Sequence, residues 1–114
     1  MKWEKDGYNW PFNEHSQFVN VRPYNWHVQD IGQKGKPVAI LLHGTGASTH
    51  SWRLLIPYLI NRYRIIAFDL PGHGFTKLFS HQRCGLENMA EDIITLINHL
   101  AIKPEIVIGH SAGA

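Results

Sequence analysis

The chain has 114 residues, of which 44% are hydrophobic and 18% are charged, and its net charge is +2 with the histidines neutral. This length allows one domain or part of a larger one, and the scattered Lys and Arg residues form no basic stripe of the kind that binds nucleic acid. A single cysteine excludes an internal disulfide, and no apolar run approaches the ~20 residues that span a bilayer. Since the charged N-terminus has no apolar core behind it, we expect no secretory signal and a cytoplasmic location, with peripheral membrane contact left open.

The first third of the chain predicts an arm followed by a hairpin. Residues 1–17 are polar and aromatic, and they predict an irregular N-terminal arm. Phe18–Val21 and Trp26–Ile31 are rich in strand-forming residues, and Arg22–Asn25 between them is typical of a turn. We therefore expect an antiparallel hairpin, followed by a loop at Gly32–Pro37.

The middle of the chain predicts a buried strand, a helix and a second buried strand. Val38–Leu42 is a continuous apolar run, which is typical of a strand covered on both faces in a parallel sheet. Apolar residues between positions 52 and 59 then recur at helical spacing, but Pro57 lacks an amide hydrogen, so the helix should start late or kink. Ile65–Phe68 is the next predicted strand.

The last part of the chain continues the same alternation. A long loop is predicted from Leu70 to Gly85, then a helix from Leu86 to Leu100, then a buried strand at Ile106–Ile108. Alternating strands and helices predict right-handed βαβ units and a parallel sheet with helices on its faces. The fold class is therefore α/β, with an antiparallel hairpin leading into a parallel βαβαβ sheet.

The last predicted strand runs directly into Gly109-His110-Ser111-Ala112-Gly113, which has the form G-x-S-x-G. A strand that enters this pattern is typical of a nucleophile elbow, a sharp turn that exposes the hydroxyl of its serine. Gly109 and Gly113 lie two residues on either side of Ser111, where a side chain would collide with the crossing of strand and helix. The alternative is a small-residue turn closing a βα unit of a nucleotide-binding protein, although that class shows a different glycine spacing.

A second candidate motif, His43-Gly44-Thr45-Gly46, follows the strand at positions 38–42. An acyl-transfer enzyme must stabilise a developing oxyanion, and fixed backbone amides are suitable donors. The pattern predicts the Thr45 amide as one donor and the amide of Ala112, the residue after the serine, as the other. Gly44 and Gly46 would let this loop turn close to a substrate. The alternative is an ordinary loop between a strand and a helix.

The third motif, Asp69–Gly74, has the sequence Asp-Leu-Pro-Gly-His-Gly and is interpreted as structural. We expect Asp69 to cap the turn that follows it rather than to orient a histidine. His73 is interpreted as a loop residue rather than a catalytic base. His43 is interpreted as a packing residue of the loop that follows the strand at 38–42, and His110 as a packing residue of the elbow.

These three motifs, in this order and spacing, resemble the α/β-hydrolase fold over Val21 to Ala114. The resemblance implies that Val38–Leu42 lies between the other two parallel strands, with Ser111 and Thr45 at the sheet edge where ligands bind. It also implies an acid and then a histidine later in the chain than Ala114. We therefore expect residues 18–114 to be the N-terminal half of an incomplete domain that is inactive alone.

A closer resemblance is to the α/β-hydrolase-like accessory proteins of magnesium chelatase in bacteria that make bacteriochlorophyll. It rests on the residues Trp3, Asp6-Gly7, Trp10-Pro11, Trp26–Gln29, His43–Trp52, Pro71–Thr76 and Gly109–Ala114. The resemblance implies a role in photosynthetic pigment synthesis, a small-molecule substrate that is a tetrapyrrole or its ester, and magnesium-chelatase subunits as partners. We expect no cofactor and no metal ligands. Two hypotheses remain: a serine hydrolase, or a non-catalytic protein that binds a tetrapyrrole or assists the chelatase.

Overall fold

The computed structural model of the chain describes residues 1–78 and 86–110, and the side chains in these ranges except at positions 86–88. Residues 111–114, which include the predicted nucleophile, lie outside the described residues, as does segment 79–85 of the predicted long loop. The described residues form a mixed six-stranded sheet with helices, which confirms the predicted α/β class.

The N-terminal arm and the hairpin come first along the chain. The arm contains one helical turn, α1 (Trp3–Asp6), and a 3-10 turn at Asn13–His15. β1 (Ser16–Val21) and β2 (Tyr24–Ile31) then pair antiparallel, which confirms the predicted hairpin. Both strands begin two residues earlier than predicted, so the turn between them is only residues 22–23.

Three parallel strands form the other side of the sheet. β3 (Val38–Leu42) lies between β4 (Arg64–Phe68) and β6 (Pro104–Gly109), as predicted. Leu42 at the end of β3 is opposite Phe68 on one side and Gly109 on the other, so the three strands end at the same level. The parallel strands that follow β3 in the sequence lie on opposite sides of it, so the order of the strands reverses at β3. At such a point a crevice forms beyond the carboxyl ends of the strands.

The hairpin joins this parallel part through β2, which pairs antiparallel with β4, and the strand order is β1-β2-β4-β3-β6. Arg64 of β4 reaches Asp30 of β2 with two hydrogen bonds of 2.9 and 2.6 Å. A sixth strand, β5 (Lys77–Leu78), pairs with the start of β2. The sequence predicted a loop there, because two residues are too few to show a strand pattern.

The helical segments follow the predicted apolar stripes. A 3-10 turn at Thr49–Trp52 precedes a short helix, α2 (Ile56–Leu59), in which Pro57 occupies an N-terminal position. The predicted late start is therefore confirmed, since proline needs no amide partner in the first turn. The longer helix α3 spans Leu86–His99.

Apolar side chains cover both faces of the sheet at β3 and β4, as their unbroken apolar runs predicted. The prediction that Ile106–Ile108 is a buried strand is wrong for the described residues, because Ile106 and Val107 of β6 are exposed there. The α3 face buries Tyr24, Trp26, Val28, Val38, Ile40, Ile66, Phe68, Leu70 and Leu96. The α2 face buries Ile31, Leu41, Trp52, Ile56, Ile65 and Ala67. Burying each large side chain stabilises the fold by about 1.5–3 kcal/mol. These two layers fix the strand ends from which the candidate site is built.

Candidate active site

The candidate site lies at the sheet edge where β3, β4 and β6 end. The loop after β3 (His43–Ser48, the β3 loop) and the loop after β4 (Asp69–Thr76, the β4 loop) both begin there. The amide of His110, just past β6, donates to the carbonyl oxygen of Leu42 at 3.1 Å. The chain therefore leaves β6 beside the start of the β3 loop, one residue before Ser111 in the sequence.

The amides of the β3 loop differ in whether they have an acceptor. The Ala47 amide donates to the Gly44 carbonyl at 3.1 Å, and the Gly46 amide donates to Nε2 of His73 at 2.9 Å. Among the described residues, the amide of Thr45 has no acceptor, and Thr45 is exposed. Since Gly46 has a φ of +79°, this turn requires the conformational freedom of glycine. The predicted Thr45 donor is therefore available, and the amides of Gly44 and Ser48 likewise have no acceptor among the described residues.

His43, at the start of the β3 loop, is fully buried and holds the two loops together. Its Nε2 accepts the Leu70 amide at 2.9 Å, so the proton lies on Nδ1, which donates to the Gly44 carbonyl at 2.7 Å. Burial lowers the pKa of His43, because the charged imidazolium would be poorly solvated there. His43 is therefore a neutral packing residue, as predicted.

His73 in the β4 loop is also engaged through both ring nitrogens. Its Nε2 accepts the Gly46 amide, so its proton lies on Nδ1, 3.0 Å from the carbonyl oxygen of Pro71. A ring whose only basic nitrogen already accepts a backbone amide is not a free general base, which agrees with the predicted loop role. By contrast, the His110 side chain is exposed, so its predicted packing role is not what the structure shows.

Asp69 corrects one prediction, because it both caps the turn and orients a histidine. Its carboxylate accepts the Thr49 amide at 2.8 Å and the Phe75 amide at 2.9 Å, which is the predicted capping role. The same carboxylate accepts Nδ1–H of His27 at 2.7 Å, and both side chains are fully buried. The prediction that Asp69 does not orient a histidine is therefore wrong.

Burial alone would raise the pKa of the Asp69 carboxyl. The hydrogen bond and the charge of His27, together with the amides of Phe75 and Thr49, outweigh that effect and hold the pKa below its ordinary value. The role of His27 was not predicted from the sequence. Its position inside a predicted strand could have indicated that role, since the ring of a buried histidine needs a polar partner.

Ser16, His27 and Asp69 form a chain in the order of a catalytic triad. Ser16 Oγ lies 2.7 Å from Nε2 of His27, whose other nitrogen reaches Asp69. However, the rings of Trp3, Phe18 and Phe75 pack around His27, with centroids 5.1, 5.4 and 5.3 Å away. No substrate atom can approach this imidazole, so the chain is a structural tie between β1 and the β4 loop.

A cleft of about 770 Å³ opens beside Thr45. The N-terminal arm contributes one wall through Trp10, whose indole N–H donates to Thr49 Oγ1 at 3.0 Å. Met1 of the arm and His50 and Ser51 of the 3-10 turn also line the cleft. The two loops contribute Thr45, Gly46, Ala47, Ser48, Gly72, His73 and Gly74. A smaller cavity of about 310 Å³ is lined by Gly44, Thr45, Ala47, Ser51, Trp52 and His110. Thr45 lines both spaces.

The described part of the chain holds neither a cluster of metal-binding side chains nor a helix that could span a membrane. In residues 1–78 and 86–110, no group of three or more His, Cys, Asp or Glu side chains is placed to hold a metal ion. No helix within those ranges combines the length and the apolar character that crossing a bilayer requires.

The family model of the α/β hydrolase fold matches residues 37–114. The chain belongs to the α/β-hydrolase family. This match confirms the resemblance inferred from the three loop motifs. It includes the β3 loop, the β4 loop and the predicted elbow, and it begins after the N-terminal arm and the hairpin.

Individual relatives of this α/β hydrolase carry different names. The chain is 50% identical over 105 residues to the magnesium-chelatase 30 kDa subunit of Rhodobacter capsulatus, covering 92% of this chain and 37% of that protein. It is 38% identical over 93 residues to protein phosphatase methylesterase 1 of Mus musculus, covering 77% of this chain and 24% of that protein.

A solved structure of an epoxide hydrolase from Vigna radiata also resembles this chain. The TM-score is 0.75 at 31% identity, and the match covers 86% of this chain and 32% of that structure. The chain therefore spans only about a quarter to a third of the relatives that it matches. The names of these relatives are those of a chelatase subunit, a methylesterase and an epoxide hydrolase.

Proposed function

We propose that the full-length protein is a serine hydrolase that cleaves an ester or a related acyl bond, with Ser111 as the nucleophile. The observation that carries the proposal is the Thr45 amide, which has no acceptor among the described residues and belongs to a residue that lines the cavity shared with His110. An amide that is held in place before the reaction is the donor that a developing oxyanion requires.

In the proposed reaction, Ser111 Oγ attacks the substrate carbonyl carbon while a histidine elsewhere in the full-length protein takes the hydroxyl proton. The electron pair of the carbonyl moves onto its oxygen, which accepts hydrogen bonds from the amides of Thr45 and Ala112. The intermediate collapses to an acyl-enzyme as the leaving group departs with the proton, and water then releases the acid. Each oxyanion donor contributes about 10²–10³-fold to the rate.

The substrate class is proposed from the similarity to the magnesium-chelatase subunit. We propose that the protein acts beside magnesium chelatase, on a tetrapyrrole or its ester, in the cytoplasm. The same similarity supports a second function, in which the fold binds a tetrapyrrole or assists the chelatase without breaking a bond. The intact donor in the β3 loop favours the hydrolase.

Covalent labelling of the full-length protein tests the nucleophile. A fluorophosphonate probe should label the wild type, and Ser111→Ala should abolish the labelling and lower ester hydrolysis by about 10⁴-fold or more. Ser51→Ala is the matched control, because Ser51 lines the same cleft, is exposed and should be dispensable for labelling. Labelling that persists in Ser111→Ala and disappears in Ser51→Ala would contradict the assignment.

A second experiment separates the two functions. Cells that make the pigment but lack this protein are supplied with either the wild type or Ser111→Ala. The hydrolase predicts that only the wild type restores pigment synthesis. Full restoration by Ser111→Ala would favour the binding function instead.

A further inference from the structure

We propose that His73 is a positioning residue for the oxyanion-binding loop, and that it aims the Thr45 amide by holding the next amide along the chain. This inference rests on the proposed hydrolase function. It assigns to the β4 loop a role in acyl transfer that goes beyond shaping the cleft.

The first step is that His73 removes a competing donor. The Gly46 N–H points to Nε2 of His73 at 2.9 Å, so it is not available to a substrate oxygen. The Ala47 amide is likewise committed to Gly44. Of the three consecutive amides from Thr45 to Ala47, only the first is left to face a ligand.

The second step is that His73 fixes the peptide plane beside the donor. The Gly46 N–H belongs to the peptide unit that joins Thr45 to Gly46, and its bond to His73 restrains rotation about the Thr45 backbone. Packing adds little restraint at Gly46, which has a φ of +79°. Apart from its chain neighbours, no atom of the described residues lies within 4 Å of the position that a Cβ would occupy.

The third step is that His73 itself is rigid. Its ring is held at Nδ1 by the Pro71 carbonyl, its own amide donates to Leu70 at 2.9 Å, and its carbonyl accepts the Thr76 amide at 3.2 Å. The ring of His43 packs against it with centroids 5.1 Å apart. A fixed acceptor of this kind can position a loop, whereas a mobile side chain could not.

The test uses the full-length protein and p-nitrophenyl butyrate. His73→Leu removes the acceptor and should lower kcat by about 10- to 100-fold with little change in KM, since a small displacement of a catalytic group costs about that much. His73→Gln can still accept through its side-chain oxygen and should restore kcat to within about threefold of wild type. His99→Leu is the matched control, because it removes an exposed imidazole at the end of α3 that lines neither of the two spaces beside Thr45.

Inhibition by a trifluoromethyl ketone separates positioning from general structural damage. This inhibitor adds to a catalytic serine and places an oxyanion in the hole. Its Ki should therefore rise in His73→Leu by the same factor as kcat/KM falls, and it should be near the wild-type value in His73→Gln. Equal kcat and Ki in wild type and His73→Leu would overturn the proposal.

A nitrogen NMR spectrum of the wild-type imidazoles provides a result that does not depend on activity. The proposal predicts that His73 is protonated on Nδ1 and not on Nε2, and a proton on Nε2 would overturn it. Because this spectrum is recorded on the wild type, it tests the proposal even if His73→Leu fails to fold. If Ser111→Ala leaves hydrolysis unchanged, the proposed function fails, and the spectrum still shows whether His73 holds Gly46.

Discussion

The two sides of the candidate site are built differently. On one side, His43 and His73 tie the β3 and β4 loops together. Asp69 of the β4 loop is fully buried and accepts hydrogen bonds from His27, Thr49 and Phe75. On the other side, β6 leads towards the predicted elbow, and its residues Ile106 and Val107 are 39% and 53% exposed. The side with the proposed oxyanion donor is therefore organised by contacts within the described residues, whereas the β6 side has apolar surface that those residues leave uncovered.

This difference shows that the Thr45 donor can be held in place independently of the nucleophile. Buried polar groups that are fully hydrogen-bonded give a rigid arrangement, and losing one partner leaves the others unsatisfied. The stability of the loop side should therefore respond to single substitutions around Asp69 far more than the exposed surface does. Four predictions test this, from the largest expected effect to the smallest.

The largest effect should come from Asp69→Ala. This substitution leaves the buried His27 and two backbone amides without their acceptor, which should lower the free energy of unfolding by about 3–5 kcal/mol. Asp30→Ala is the matched control, because Asp30 also bonds a side chain of another strand, Arg64, but both side chains are about one-fifth exposed. That loss should be about 1 kcal/mol or less in urea unfolding. Equal losses in the two variants would contradict the central role of Asp69.

The second prediction is that alanine substitutions at the two glycines of the β4 loop differ in their cost to stability. A Cβ at Gly74 would lie 2.3 Å from the Asp69 carboxylate, and Gly74 has a φ of +50°. Gly74→Ala should therefore lower the free energy of unfolding by about 3 kcal/mol, from backbone strain and overpacking together. Gly72→Ala, at a φ of +80° in open space, should cost only about 1 kcal/mol. Gly35→Ala, with neither feature, should be nearly neutral, and a similar loss in all three would refute the comparison.

The third prediction concerns pH. Burial lowers the pKa of His43 from its ordinary value of 6.5, so the folded protein binds fewer protons than the unfolded chain just below that pH. Stability from this group is thus fully present above pH 6.5 and decreases as the pH falls from 6.5 towards the lower folded pKa. In urea unfolding from about pH 8 to about pH 5, His43→Asn should flatten this slope.

The control for this titration is His99→Asn, since His99 is exposed at the end of α3. Its stability profile should follow that of the wild type. A wild-type slope that persists unchanged in His43→Asn would show that His43 is not the group responsible.

The smallest effect should come from the tie between the N-terminal arm and the β3 side. Trp10→Phe and Thr49→Val each remove one partner of the hydrogen bond between the indole nitrogen and Thr49 Oγ1. In a double-mutant cycle, the coupling between these substitutions should be about 1 kcal/mol. Additive losses would mean that this bond does not hold the arm at the cleft.

The fold could be predicted from sequence wherever apolar periodicity is strong. The unbroken apolar run at 38–42 predicted the limits of β3, because burial on both faces leaves a continuous apolar run. The apolar stripe from residue 86 predicted α3 nearly to its observed end, because burial on one face leaves helical spacing. The two residues of β5 were missed, since their pairing with β2 depends on tertiary contacts that no local pattern records.

The candidate site was only partly predictable for a related reason. Thr45 and the loop glycines lie close together along the chain and form a local motif. The partners of Asp69 do not, since His27 is 42 residues away and Thr49 is 20 residues away. Local reasoning could assign Asp69 a turn cap, but only the antiparallel pairing of β2 with β4 brings His27 to it.

The most direct test of the account is a crystal structure of the full-length protein after reaction with diethyl p-nitrophenyl phosphate. We predict a phosphoryl group on Ser111 Oγ, with one of its oxygens about 2.7–3.1 Å from the amides of Thr45 and Ala112. The Gly46 amide should still donate to His73. A phosphoryl group on another residue, or one whose oxygen contacts neither amide, would contradict the account.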